Sequence, residues 1–400
     1  MKKRVLLGMS GGVDSSVSAI LLKNQGYDVI GITMKLFEAE FDGSCCNTSS
    51  TLDAKRVCDY LGIPHYTLDF KDDFQKYVIQ DFICSYKNCL TPNPCIECNK
   101  YLKFGAMYKK ALELGCDYIA TGHYAKIEFD QTYNKYVLKK SKAGKKDQSY
   151  VLYSIPANLL DKIIFPLGDF ENKDQIRSIA SENNLSIAKK PDSEDICFIP
   201  DGNYKKFLEN NSDLKPNEGN IVNTDGKILG KHLGLHRYTI GQRKGLGISN
   251  PVPLFVLGFN KQKNELIVGE ENKLYQKELY ATDINLLLMN HIENPIEVTA
   301  KTRYSSKEAK ATIFPIENNK MRVEFFEPQK SITPRSIYRF LFERYCIRWR
   351  KNLLNIWCCK FGVGTVFVGT FLFTLWKILY FSKITWIYLK IVILYYKNIL

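Results

Sequence analysis

Residues 4–16, RVLLGMSGGVDSS, constrain the fold of this chain more than any other stretch. Val5, Leu6 and Leu7 form a short apolar run of the kind that becomes a buried parallel strand. It passes directly into Ser10-Gly11-Gly12-Val13-Asp14-Ser15, after which Val13, Val17, Ile20 and Leu21 recur at helical spacing. Two adjacent glycines let the backbone turn tightly and present successive N–H groups to an anion at a helix N-terminus. No Gly-Lys-Ser/Thr follows and no lysine lies within the loop, so the Walker type is excluded. Backbone donors and hydroxyls without such a lysine suit a pyrophosphate that stays bound as it leaves, with adenylate passed to an acceptor. The alternative is a plain strand-to-helix turn.

The pattern continues as strands alternating with helices. Asp28 to Leu36 predicts a second strand, Asp53 to Leu61 a helix ended by Gly62-Ile63-Pro64, and His65 to Leu68 a third strand. Lys100 to Leu114 predicts a further helix closed by Gly115, and Asp117 to Thr121 a strand that enters Gly122-His123. This alternation means an α/β, doubly wound parallel sheet, whose ligands lie at the carboxyl ends of the strands. Gly12, Gly122 and Met34 fall at such ends. Met34 suits packing against an adenine, with an ordinary core methionine as the alternative.

Beyond Asn220 the pattern shifts to short strands with Gly and Asn turns. We read domain boundaries at 1–205 for the α/β domain, 206–280 for a small β-rich domain, and 281–334 for a C-terminal β-barrel. Barrel strands are expected near Glu297 to Arg303, Ala309 to Phe314 and Met321 to Phe326. All-β modules of this kind commonly clamp RNA.

The net charge of +14 would point to nucleic acid or an acidic surface, but its distribution weakens that inference. Residues 335–400 hold eleven Lys or Arg against the single acidic Glu343, and all four tryptophans. The preceding chain is therefore nearly neutral. Nine of twelve cysteines precede residue 200 at irregular spacings, and Met1 to Arg4 lead into a strand and not into a secretory signal. A cytoplasmic protein with reactive or merely buried cysteines is expected.

Two cysteine segments stand out. In Thr91 to Lys100, TPNPCIECNK, two prolines stiffen an exposed loop, and Cys98 stands immediately before the predicted helix, where the dipole lowers a thiol pKa. In Lys190 to Pro200, KPDSEDICFIP, Cys197 is either a small buried hydrophobe or a working thiol. Zinc held by Cys95 and Cys98 with Cys89, Cys45 or Cys46 is a further reading. Against it, no second C-x-x-C lies at zinc-ribbon spacing, and no metal site is expected.

The SGGVDS string resembles the PP-loop ATP pyrophosphatase superfamily at every fixed position. Taken with TPNPCIECNK, TGHYAK (121–126), KDQSYVLY (146–153), KPDSEDICFIP and GLHRYTIGQRKGLG (234–247), the chain to about residue 334 resembles the tRNA-specific 2-thiouridylases. The resemblance implies ATP-dependent replacement of the C2 oxygen of the wobble uridine by sulfur. Gly8, Met9, Ser10, Gly11, Gly12, Val13, Asp14 and Ser15 would hold the phosphates of ATP, which arrives with Mg2+. Met34 and Gly122 would contact the adenosine. Cys197 would carry the persulfide and Cys98 would be the partner nucleophile, the two forming a transient disulfide. Contacts to the tRNA anticodon loop are implied at Asn93, Pro94, Cys95, His123, Lys146, Asp147, Gln148, Arg303 and Tyr304. A cysteine desulfurase or sulfur-relay protein would supply sulfur, and no membrane partner is implied. Many family members carry an aspartate where this chain has Cys95, and a thiol with an ordinary pKa near 8.5 does not take over an acid–base role unchanged. Other PP-loop enzymes, including tRNA-lysidine synthetase, GMP synthetase and argininosuccinate synthase, need neither cysteine. An RNA-binding or membrane-anchored protein without catalysis is the alternative outside enzymes.

The likeness stops at Pro334, where the family continues with Gly-Gln and a last strand ending in Leu-Gly-Gly. Residues 335–400 are read as a frameshift product that leaves the barrel incomplete. With AT-rich codons, Arg339 to Arg350 shifted by one nucleotide spells Asp-Phe-Tyr-Leu-Lys-Asp-Ile-Val-Leu-Gly-Gly, which looks like that closing strand. A membrane anchor is the rival reading. The uncharged run from Phe361 to Trp376 is shorter than the roughly 20 residues a spanning helix needs, and Lys377, Lys383 and Lys390 recur through the next stretch.

Overall fold

The structure is a computed structural model that describes residues 2–38, 48–192, 196–304, 306–316 and 320–333, with 337–342 and 345–350 described by their backbone. Cys45, Cys46, Ser193 to Asp195 and the tail beyond 350 lie outside the described residues.

Arg4–Gly8 is the central strand of a five-stranded parallel sheet ordered His65–Asp69, Asp28–Lys35, Arg4–Gly8, Tyr118–Ala120, Ile163–Ile164. Alternation along the central strand divides the core in two. Val5 and Leu7 join Val29 in one cluster, against Val17 and Ile20 of helix Val13–Asn24, Val57 of helix Thr48–Leu61, and Ile176 of helix Lys173–Glu182. Leu6 joins Ile30 and Ile32 in the other, against Phe74, Phe82, Leu102, Phe104 and Met107. Both faces are covered, as a doubly wound sheet requires. The strand order reverses beside Arg4–Gly8, so a crevice opens between its carboxyl end and that of Tyr118–Ala120.

Two helices differ from the sequence reading. The one expected from Asp53 begins at Thr48. The one expected from Lys100 belongs to a longer helical run, Pro94–Glu97 continuing through Cys98–Ala106 in π geometry and then Met107–Glu113. Asn93 holds the N-cap position without a side-chain cap bond, and Pro94 takes the first turn, where a missing N–H costs nothing. Cys98 therefore sits one turn inside the helix and not ahead of it, which removes much of the expected dipole effect on its thiol.

The next domain is a four-stranded sheet ordered Phe255–Asn260, Glu265–Gly269, Gly219–Val222, Ile228–His232, with Ile221, Val256, Leu266 and Val268 in its core. The last sheet runs Tyr275–Ala281, Lys320–Lys330, Ala309–Ile316, Ile296–Lys301, Ile337–Phe342, Tyr345–Arg350, then Lys135–Lys140 and Ala125–Asp130 from the first domain. Its two outer strands do not pair, so the barrel is incomplete. The tail nevertheless contributes: Ile337–Phe342 pairs with Ile296–Lys301 at three positions, and Tyr345–Arg350 meets Lys135–Lys140 at one bridge, Tyr345 to Lys139. The tail's backbone donors and acceptors thereby cover part of the edge of Ile296–Lys301, while the barrel stays incomplete as expected.

Asn285 ties the barrel to the first domain, its Nδ2 donating to Tyr153 O at 2.7 Å and Ile155 O at 2.8 Å. Asn285→Ala leaves both carbonyls without that donor, and a loss of about 1–3 kcal/mol in unfolding free energy is expected. Thermal melting would show it, and an unchanged midpoint would mean water replaces the amide at no cost.

Candidate active site

The phosphate loop is built from backbone. Gly11 has φ +70°, and a Cβ there would lie 2.0 Å from Ser50 O, so only glycine fits. Gly12 is the N-cap of helix Val13–Asn24 and has no side chain to cap it, which leaves first-turn N–H groups for an anion. Ser15 Oγ accepts from Ser10 N at 3.2 Å and donates to Gly12 O at 3.1 Å, folding the loop back on the helix start. Gly122 presses on the same turn, where a Cβ would come within 2.8 Å of Ser15 N.

A cleft of about 230 Å³ opens at this point, lined by the loop residues Gly8, Met9, Ser10, Asp14 and Ser15 and by the apolar Ile32, Met34, Leu36 and Met107. Lys103, Thr121, Gly122, His123 and Gln148 complete the wall. An apolar slot joined to a polar helix N-terminus suits a nucleobase with its phosphates. Gly11, Gly12 and Val13 shape the loop behind it.

Asp14 organises the charges. Its Oδ1 accepts from Tyr124 Oη and from Lys173 Nζ, each at 2.6 Å. Lys173 also meets Asp192 at 2.9 Å, and Asp192 takes Lys146 at 2.9 Å. Burial, then the Asp14 charge, pushes the Tyr124 phenol well above its ordinary range. Burial alone would raise the Asp192 carboxyl, but Lys146 and Lys173 outweigh it and hold the pKa below normal. Lys190 Nζ donates to Gly11 O at 3.1 Å and pairs with Asp53 at 2.8 Å. Burial, reinforced by Lys103, drives the His123 pKa well down, and its Nδ1 lies 2.6 Å from Thr121 Oγ1. The imidazole is neutral at physiological pH.

The two cysteines expected to act together are both reduced. Cys98 is buried in the apolar cluster that includes Ile32, Leu36 and Met107 of the cleft, and Cys197 packs against that same cluster, half-buried. Cys95 is exposed.

The residues expected to meet RNA are placed unevenly. Gln148 lines the cleft and exchanges bonds with Tyr124, its Oε1 accepting from Tyr124 N at 2.9 Å. Asp147 accepts from Ser141 N and Ser149 Oγ, shaping the turn between them. Asn93 is partly exposed at its helix cap and Pro94 is buried. Tyr304 comes from the barrel and is 47% exposed, edge-on to Tyr150. Burial, then Asp147, raises its phenol pKa, with Cys95 a smaller contributor, so the barrel reaches the cysteine loop. Arg303 instead binds main chain, donating to Ser331 O at 2.8 Å and Ile240 O at 3.0 Å.

Comparison with known proteins matches three successive stretches of the chain. Residues 3–201 match the family described as tRNA methyl transferase HUP domain, 205–270 its PRC-barrel domain, and 276–335 an aminomethyltransferase beta-barrel domain. The tRNA-specific 2-thiouridylase MnmA of Caldicellulosiruptor saccharolyticus is 50% identical over 340 residues, covering 84% of this chain and 94% of that protein. The chain belongs to the tRNA-specific 2-thiouridylase family. The thiouridylase of Clostridioides difficile is 48% identical over 337 residues, 83% of this chain and 93% of its own length. Among solved structures, the U34-tRNA thiolase NcsA from Methanococcus maripaludis with its [4Fe-4S] cluster aligns at TM-score 0.32 and 21% identity, over 53% of this chain and 67% of that one.

Sequence reasoning gave no role to Lys103, Tyr124, Lys173, Lys190 or Asp192 in this thiouridylase site. Lys190, Asp192 and Tyr124 sit inside motifs already noted, whereas Lys103 and Lys173 lie outside every motif and only the fold brings them to the loop.

Exposure replaces helix position as the guide to thiol reactivity. Cys58 is fully buried, with burial pushing its pKa up to about 12, and burial raises Cys116 to about 11. Iodoacetamide near neutral pH should label Cys95 first, Cys98 more slowly, and Cys58 and Cys116 last. Peptide mapping over a time course reads the order, and early labelling of Cys58 would contradict the burial described.

Proposed function

We propose that this chain uses ATP to replace the C2 oxygen of the wobble uridine in tRNA by sulfur. The observation that carries the reading is the sharing of one apolar cluster by Cys98, Cys197 and the wall of the nucleotide cleft. ATP enters as its Mg2+ complex, with adenine in the slot at Met34 and phosphates on the loop from Gly8 to Ser15. The uridine C2 oxygen bonds to the α-phosphorus, the bond to the bridging oxygen breaks, and its electron pair leaves with pyrophosphate. The N3 proton passes to solvent. A persulfide on Cys197, loaded by a cysteine desulfurase or relay protein, adds its terminal sulfur at C2, and AMP departs with the C2–O pair. The Cys98 thiolate then attacks Cys197 Sγ, forming a disulfide between them and leaving the terminal sulfur on the base, where N3 regains its proton. A cellular thiol reductant resets the disulfide.

The anticodon loop is the substrate that fits, because a looped base leaves its stack at less cost than one in a duplex. Asn93, Pro94 and Cys95 would surround the base, with His123, Lys146, Asp147, Gln148 and Tyr304 nearby. A role for Arg303 in RNA contact would act through the junction it holds. Among the described residues no helix is long and apolar enough to cross a membrane, and a cytoplasmic location accords with a tRNA substrate.

Cys197→Ser should reduce 2-thiouridine formation to background while pyrophosphate release continues, whereas Asp14→Ala should stop both. Nucleoside analysis of tRNA from cells lacking the gene is the broader check: undiminished 2-thiouridine there would exclude the assignment.

We infer further that residues 335–400 arise from a frameshift. The family match ends at 335, while 94% of the relative's length is already accounted for, and the composition changes abruptly at that point. Restoring the reading frame near codon 335 should give a more soluble and more active enzyme, close to the relatives' own length. Resequencing decides it, and an adjacent frame that does not encode a Leu-Gly-Gly strand over codons 339–350 would end the idea.

A further inference from the structure

The cleft has one lysine in its wall, Lys103, and nothing in the phosphate loop accounts for it. The carboxylate in the same lining, Asp14, is already answered by Lys173 and by the Tyr124 hydroxyl. His123 is held neutral by burial and by Lys103 itself. Among the described residues the Lys103 ammonium approaches His123 Nε2 at 3.4 Å and makes no ion pair with a carboxylate. A half-buried cation facing a neutral ring inside a cleft is an incomplete arrangement. Its desolvation is offset only when an anion enters.

Position along the helix says which anion. Lys103 and Cys98 both lie in the π stretch Cys98–Ala106, whose i→i+5 bonding sets residues five apart close to one face. In α geometry the same two residues would diverge around the helix. The lysine shares one cleft wall with Met34 and Met107, which mark the adenosine slot, and with Ser10, Asp14 and Ser15 of the loop that suits pyrophosphate. Of the three phosphates, the α-phosphate is the one between those two places.

We propose that Lys103 is a catalytic residue that binds the α-phosphate of ATP and of the adenylate formed from it, an assignment that rests on the function proposed above. As the uridine oxygen bonds to the α-phosphorus and the bridging oxygen leaves with pyrophosphate, the ammonium neutralises charge on the non-bridging oxygens. When sulfur displaces AMP, the same contact stabilises the departing phosphate.

The test compares ligands that differ only in that phosphate. Calorimetric titration of the full chain with AMP and with adenosine should show Lys103→Met losing about 10- to 100-fold in affinity for AMP, the range for one hydrogen-bonded charge pair. Adenosine affinity should stay within about twofold, since its slot is untouched. Lys103→Arg should recover most of the AMP affinity, and Lys103→Gln provides a second uncharged variant should the methionine disturb folding. Equal losses for both ligands, or no loss for AMP, would overturn the assignment. So would a variant that loses affinity for tRNA and not for AMP, because the lysine would then serve the RNA backbone. If the unaltered chain bound neither ligand, the nucleotide reading of the cleft would itself fail, a result distinct from failure of Lys103 alone.

Discussion

The carboxylate of Asp14 is the point on which the site depends. It lies in the first turn of helix Val13–Asn24, where the dipole favours a negative charge, and it takes short bonds from Tyr124 and Lys173. Lys173 opens the helix Lys173–Glu182, and Asp192 beyond it passes the chain of charges on to Lys146. Segments distant in sequence are therefore joined through two carboxylates, Asp14 and Asp192. Removing either partner of such a partly buried pair strands the other charge, which costs more than the pair itself contributes. The loop's backbone N–H groups take no part in this chain of side chains, so the anion site stays available while its frame is rigid.

Much of the fold was legible because it follows from strong local patterns. The apolar run at Val5 to Leu7, the glycines after it and the period of the following helix all agree, and the parallel sheet forms around them. Of the residues the resemblance implies for ATP, Gly8, Met9, Ser10, Asp14, Ser15, Met34 and Gly122 line a single cleft. What could not be read was anything that depends on helix geometry or on long-range charge. A π stretch has no clear sequence signature, so the helix start was set at Lys100 and Cys98 was given a dipole it lacks. Lys103 and Lys173 carry no motif, and their roles arise only from packing against residues 20 and 159 positions away.

The π stretch also accounts for how two unlike tasks share one element. Its wide turns bring Cys98 into an apolar cluster and Lys103 into a polar cleft wall within five residues. Burial shields a thiol from adventitious oxidation, at the cost of slower attack until substrate reorganises the site. Cys95, one turn earlier and exposed, has neither protection nor enclosure. The difference in shelter between Cys98 and Cys95 follows from where the helix begins.

Arg303 shows how far the site is insulated from the change of character at residue 335. Its guanidinium holds Ser331 O and Ile240 O, and Ser331 N donates to Leu274 O at 2.9 Å, so the central domain and the barrel are locked together before the tail starts. Ile332 is buried in the barrel core, and Ser331 adopts φ +55°, a left-handed turn that ends the long strand Lys320–Lys330. The junction that carries Tyr304 toward Cys95 is thus complete by Thr333. What the tail affects is the edge beyond Ile296–Lys301. There Ile337–Phe342 satisfies only part of the ladder, three paired positions against five on the other side of the same strand. A strand paired at so few positions on that side secures the sheet edge less well than the barrel's own hairpins do.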